Sequence, residues 1–109
     1  MAYDEGLAQR LRELLEDEPG ISEKKMFGGV CFLLHGNMVC GVVKDELMVR
    51  VGPDAYEEAL AEPHAREMDF TKKPMRGMVY VACEGFESDA GLEAWAKRGL
   101  VFAGSLPRK

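Results

Sequence analysis

Basic residues are bunched in this sequence. Lys24 and Lys25 are adjacent, and Lys72, Lys73 and Arg76 surround Pro74, giving residues 72 to 76 a local charge of +3 within an acidic chain. Together with Arg50 these cations could hold an anion. With Phe27 and Tyr80 nearby they could also form a platform for single-stranded nucleic acid, since aromatic faces stack on bases while cations track phosphates. Lysine and proline on an exposed strand have a plainer use, which is to discourage pairing with another sheet. The chain carries 14 Lys and Arg against 19 Asp and Glu, a net charge of −5, and a negative field disfavours a phosphate backbone. Edge protection is therefore the preferred reading, and nucleic acid is not the expected partner.

The nucleophiles and metal ligands do not assemble into a constellation. Cys31, Cys40 and Cys83 form no C-x-x-C pair and no histidine lies at ligand spacing, so neither a metal nor a cofactor is expected. Cysteine is among the most buried residue types, and Cys31 and Cys40 are read as small buried hydrophobes. His35 falls at a hairpin turn and His64 follows Pro63, each without a local serine or cysteine to activate. There is no G-x-G-x-x-G after a strand, no G-x-x-x-x-G-K-[ST], no H-E-x-x-H and no G-x-S-x-G. The residues offer no catalytic site, and the expectation is a protein that is not an enzyme.

The elements that would position these residues begin with a β-meander. Between Met26 and Val51, short apolar runs are separated by Gly28-Gly29, Gly36-Asn37 and Asp45-Glu46, and such pairs mark tight hairpin loops. With Gly36-Asn37 as a two-residue loop, Leu33 faces Cys40 and Cys31 faces Val42. With Asp45-Glu46 as the next, Val42 faces Val49. One face then collects Cys31, Leu33, Cys40, Val42, Leu47, Val49 and Val51. The other takes Val30, Phe32, Leu34, Val39, Val43 and Met48, with Arg50 opposite Gly41. Cys31 and Cys40 share a face as diagonal neighbours about 7 to 8 Å apart, too far for a disulfide. Both faces are apolar, so both should be covered, by helices or by a second copy of the chain.

Upstream, Leu7, Leu11, Leu14 and Leu15 follow i, i+4, i+7, i+8 spacing and predict an amphipathic helix over Tyr3 to Glu18. Pro19-Gly20 stops it, and Ser22 to Phe27 form the first strand. Downstream, Gly52-Pro53-Asp54 opens a short helix that Glu62-Pro63 ends. Arg76 to Ala82 reads as a strand, with Arg76, Met78 and Tyr80 on one face and Val79 and Val81 on the other. Ser88 is an N-cap for a C-terminal helix whose stripe is Leu92, Trp95, Ala96, Gly99, Phe102 and Ala103. Gly99 lies in that stripe, which calls for close approach of helix to sheet. The expected fold is α+β: an antiparallel meander of about five strands packed with an N-terminal, a short middle and a C-terminal helix.

At 109 residues the chain is one domain, 1 to 109. No apolar run approaches the ~20 residues that span a bilayer, and the acidic N-terminus is no signal peptide. No membrane association and a cytoplasmic location are expected.

Four segments in order, Lys24-Lys25-Met26-Phe27-Gly28-Gly29, Leu47-Met48-Val49-Arg50-Val51, Met68-Asp69-Phe70 followed by Lys73-Pro74-Met75-Arg76-Gly77, and Leu92-Glu93-Ala94-Trp95-Ala96-Lys97-Arg98-Gly99-Leu100, resemble the N-terminal domain of the TfoX/Sxy competence regulators. The resemblance covers nearly the whole chain. It implies a bacterial α+β domain linked, in the founding members, to transcriptional control of DNA-uptake genes. Those founders carry a further C-terminal domain, whereas this chain ends at Lys109, like many single-domain relatives. Some relatives carry a label implying RNA methyltransferase activity; the sequence has no glycine-rich strand-to-helix loop for the cofactor and is short for that fold.

The leading functional expectation is a non-enzymatic regulatory or adaptor domain acting through contacts with a protein partner. The alternatives are a small nucleic-acid or anion-binding module using Lys24, Lys25, Arg50, Lys72, Lys73 and Arg76, and a small enzyme with a pocket that one sequence does not reveal.

Overall fold

In the computed structural model, residues 3 to 26, 29 to 67 and 77 to 107 are described. Helix α1 spans Glu5–Leu15, and the Asp4 carboxylate caps it by accepting from the Leu7 N–H at 3.1 Å. Four strands follow, β1 Ile21–Met26, β2 Gly29–Leu34, β3 Asn37–Val43 and β4 Glu46–Arg50. A 3-10 turn at Pro53–Ala55 leads into α2, Tyr56–Leu60. Strand β5 is Ala65–Glu67 and β6 is Met78–Val81. Helix α3, Asp89–Gly104, is capped as expected by Ser88, whose Oγ accepts from the Gly91 N–H at 3.0 Å.

All six strands form one antiparallel sheet in the order β1-β2-β3-β4-β6-β5. The strand order of the meander is as expected, and β6 joins it beside β4. The count is six rather than five because β5, Ala-Arg-Glu, has no β-branched or aromatic residue to announce it. It is held by its pairing to β6, with Arg66 opposite Tyr80.

Both central hairpins differ in register from the sequence reading. The first loop is His35-Gly36, with φ of 50° and 86°, and Leu34 pairs with Asn37. The second is Lys44-Asp45, with Lys44 at φ 55°, so Val42 faces Leu47 and Gly41 faces Met48 rather than Arg50. Each loop lies one residue earlier than predicted, because His35 and Lys44 take left-handed conformations usually left to glycine or asparagine. The ladder also shifts at Phe32/Leu33, where Phe32 pairs with Cys40 and Leu33 with Met38, leaving Val39 as an extra residue in β3.

That bulge changes which residues share a face. Val30 and Phe32 lie with Cys40, Val42, Leu47 and Val49 in the main core, where the buried residues of all three helices pack. Cys31, Val43, Met48, Met78 and Tyr80 form a smaller cluster on the other face. Cys31 and Cys40 are therefore on opposite faces, not diagonal neighbours on one. Val79 and Val81 in the main core, with Met78 and Tyr80 opposite, match the expected alternation of β6. Leu7, Leu11, Leu15 and Trp95 are buried as predicted, whereas Phe102 is only half-buried. Cys83 is exposed on a 3-10 turn, Cys83–Gly85.

Candidate functional site

The turn after β4 builds one wall of a groove. Val51 N–H and Gly52 N–H both donate to the Gly77 carbonyl, at 2.8 and 3.0 Å. Gly52 has φ 88°, and a Cβ there would run into the Phe102 ring, so only glycine both makes this turn and lets α3 lie so close. Pro53 starts the 3-10 turn, and Tyr56 and Ala59 are buried and anchor α2 beneath it. The facing wall is the outer side of α3.

Between the walls is an open pocket of about 570 Å³, with Val51, Pro53, Ala55, Ala94, Val101 and Phe102 supplying its apolar surface. Val101 is 66 % exposed and is the large hydrophobic left uncovered among the described residues. It falls out of phase with the buried stripe of α3 and points away from the core. Asp54 and Glu58 rim the first wall, and Lys97 rims the second. Arg98, also on the lining, is committed elsewhere: it donates to Glu62 Oε1 at 2.9 Å and its guanidinium sits 4.9 Å over the Trp95 ring. Arg50 is likewise engaged, 5.2 Å from the centroid of Phe102.

Arg98 separates this groove from a second, more polar pocket of about 320 Å³ lined by Glu62, His64, Glu84, Gly85 and Trp95. His64 holds φ 74°, and its carbonyl accepts from the Ala82 N–H at 2.9 Å. Cys83 is adjacent in sequence and donates to Glu84 Oε1 at 3.5 Å. This neighbourhood does not activate the thiol. The hydrogen bond to Glu84, then the charges of Glu84, Glu87 and Asp45, push the Cys83 thiol above its ordinary value, the opposite of what a nucleophilic thiolate needs. The Glu84 carboxyl is held low, first by a hydrogen bond from its own backbone N–H and then by Cys83. The two buried thiols are raised by desolvation, Cys31 to about 11 and Cys40 to about 12. No group of three or more His, Cys, Asp or Glu side chains able to hold a metal occurs among the described residues.

The basic residues singled out by sequence do not meet where they can be followed. Lys24 and Lys25 are consecutive on the edge strand β1, opposite Cys31 and Val30 respectively, so they point to opposite faces of the sheet. Arg50 lies three strands away on β4, roughly 14 Å across the sheet. Lys72, Lys73 and Arg76 lie outside the described residues. The groove was not read from the sequence. Its signal was Val101, an apolar residue off the stripe; Phe102 was instead counted as core.

An antiparallel sheet with its helices on one face and a groove at the end of α3 defines an α+β domain with a lateral apolar cleft. The chain belongs to the TfoX N-terminal domain family, whose model matches residues 13 to 103. No curated protein and no solved structure matches it. No helix among the described residues is long and apolar enough to cross a membrane.

Proposed function

We propose that this chain is a non-enzymatic regulatory adaptor of the bacterial cytoplasm, acting by contact with a protein partner in transcriptional control of the competence type. The observation that carries the reading is the groove between the Pro53 turn and α3, with Val101 at its lip. A continuous apolar cleft with charged rims is the surface form that protein partners occupy. Family membership supports the regulatory part. The raised thiol of Cys83 and the divergent placement of Lys24, Lys25 and Arg50 lend the adaptor reading further support over a thiol enzyme or a phosphate-binding module.

The test places a photo-crosslinking amino acid at position 101 in cells of the source bacterium, with position 24 on β1 as the comparison. One or a few defined protein adducts at 101 are expected, together with a changed transcript profile on deletion of the gene that wild type restores and Val101→Glu does not. Absence of a protein adduct at either position, with an unchanged transcript profile, would overturn the adaptor reading.

A further inference from the structure

We infer that the groove takes an amphipathic α-helix of the partner protein, about three turns long, with basic residues on the flank over α2 and acidic residues on the flank over α3. This rests on the adaptor reading above and specifies the partner's chemistry.

Length, shape and charge each constrain the occupant. The α3 wall runs from Ala94 to Ser105, eleven residue steps and so about 16 Å of helix axis. That matches a segment with apolar side chains at i, i+3 or i+4 and i+7. Small residues at Ala94 and Ser105 on the α3 wall, with Ala55 on the facing wall, leave room for a second backbone, with Val101 and the half-buried Phe102 as the apolar ridge to pack against. An extended strand would need unpaired backbone groups along the cleft, yet the α3 wall is a sixteen-residue helix whose N–H and C=O groups are largely spent internally. A helix satisfies its own backbone.

Charge fixes the flanks. Asp54 of the 3-10 turn and Glu58 of α2 stand on one wall and Lys97 on the α3 wall, and none of the three forms an ion pair among the described residues. Arg98 cannot serve as the partner's counter-charge without leaving both Glu62 and the Trp95 ring. A helix lying along the groove therefore meets two carboxylates, Asp54 and Glu58, on one side and on the other the Lys97 ammonium, which also borders Glu18 and Glu93 on its far side. Flanking charges of this kind select partner and orientation more than they add affinity.

The experiment selects from a library of 14-residue helix-forming peptides displayed against the intact chain, then measures binding of selected peptides by fluorescence anisotropy. Selected sequences should share an i, i+3/i+4, i+7 apolar pattern, with Lys or Arg on one flank and Asp or Glu on the other. Val101→Glu should weaken them about tenfold or more, as loss of a central anchor does. In the triple variant Asp54→Lys, Glu58→Lys, Lys97→Glu the preference should invert, so that a peptide with exchanged flanks binds better than its parent. All four positions are exposed, and matching circular dichroism and thermal melts show that the variants remain folded. Selected peptides without helical periodicity, binding indifferent to Val101→Glu, no selected binder, or no inversion in the triple variant would each overturn the inference. So would tight occupancy of the groove by an apolar dye that no peptide displaces. A protein crosslinked at position 24 but not at 101 would defeat the groove while leaving the adaptor reading intact.

Discussion

Gly99 of α3 lies directly on Val39 of β3: a Cβ built on Gly99 would sit 2.9 Å from Val39 Cγ1 and nearer still to the Val39 carbonyl oxygen. Val39 is the bulged residue, so the irregularity in the ladder and the missing side chain on the helix meet at one point. Alanine at 99 would gain about 1 kcal/mol of helix propensity, but backbone at a bulge does not move aside freely, and overpacking costs about 1 to 3 kcal/mol. Gly99→Ala should lower stability. Gly104→Ala is the counterpart, since a Cβ there meets only Leu34 Cδ2 at 3.8 Å; it should be neutral or stabilising by up to about 1 kcal/mol. Urea midpoints of the two variants check the difference, and a Gly99→Ala protein as stable as wild type would show that the contact is not tight in solution.

The same bulge explains where sequence reading stopped. Alternation of apolar residues located β2, β3 and β4, and the placement of Cys40, Val42, Leu47 and Val49 on one face was correct. One extra residue at Val39 moved all of β2 to the opposite face from the one predicted, because a strand's side chains have a period of two. Nothing in the local sequence marks that bulge, and His35 and Lys44 hold turn conformations that residue type alone would not assign. The close approach at Gly99 was legible, since glycine inside a helix stripe costs stability unless packing uses it. The groove was not, because a cleft depends on how Pro53 and Val101, far apart in sequence, come to face each other.

Trp95 is buried, with 6 % exposure, and lies in the main core while Arg98 covers its ring. Trp95→Ala should cost about 3 to 5 kcal/mol through lost burial and the cavity left behind. Denaturant unfolding followed by circular dichroism measures it. A loss below about 1 kcal/mol would contradict the core position of the indole.

Arg12 of α1 grips Glu23 of β1 with a two-pronged contact, Nε to Oε1 and Nη2 to Oε2, both at 2.8 Å. The Glu23 carboxyl is held below its ordinary value, chiefly by this hydrogen bond. A lowered carboxyl contributes stability above the unfolded value, about 4.3, and that contribution fades as pH falls through the lower folded value. Both side chains are more than a third exposed, at 39 % and 37 %, so solvent limits the contribution to about 0.2 to 1 kcal/mol. Glu23→Gln should therefore destabilise slightly at pH 7 and make almost no difference at pH 2. Denaturant midpoints of both proteins at the two pH values test this, and a gap that widens on acidification would contradict the sign.

Cysteine reactivity should separate the three thiols by environment. Cys31 and Cys40 are buried and Cys83 is exposed. The attacking species is the thiolate, and desolvation pushes Cys31 to about 11 and Cys40 to about 12, so neither should alkylate in the folded protein at pH 8. Cys83 should react alone, but slowly, because Glu84 accepts its S–H and its negative charge opposes a neighbouring thiolate. Its rate should keep rising with pH beyond the ordinary thiol range near 8.5. Glu84→Gln removes the charge and should speed modification of Cys83 at pH 8, without exposing the other two. Iodoacetamide labelling followed by intact mass gives the count, one adduct when folded and three in denaturant, and peptide mapping gives the site. Labelling of Cys31 or Cys40 ahead of Cys83 would contradict their burial, and an unchanged rate in Glu84→Gln would remove Glu84 as the cause of Cys83's reluctance.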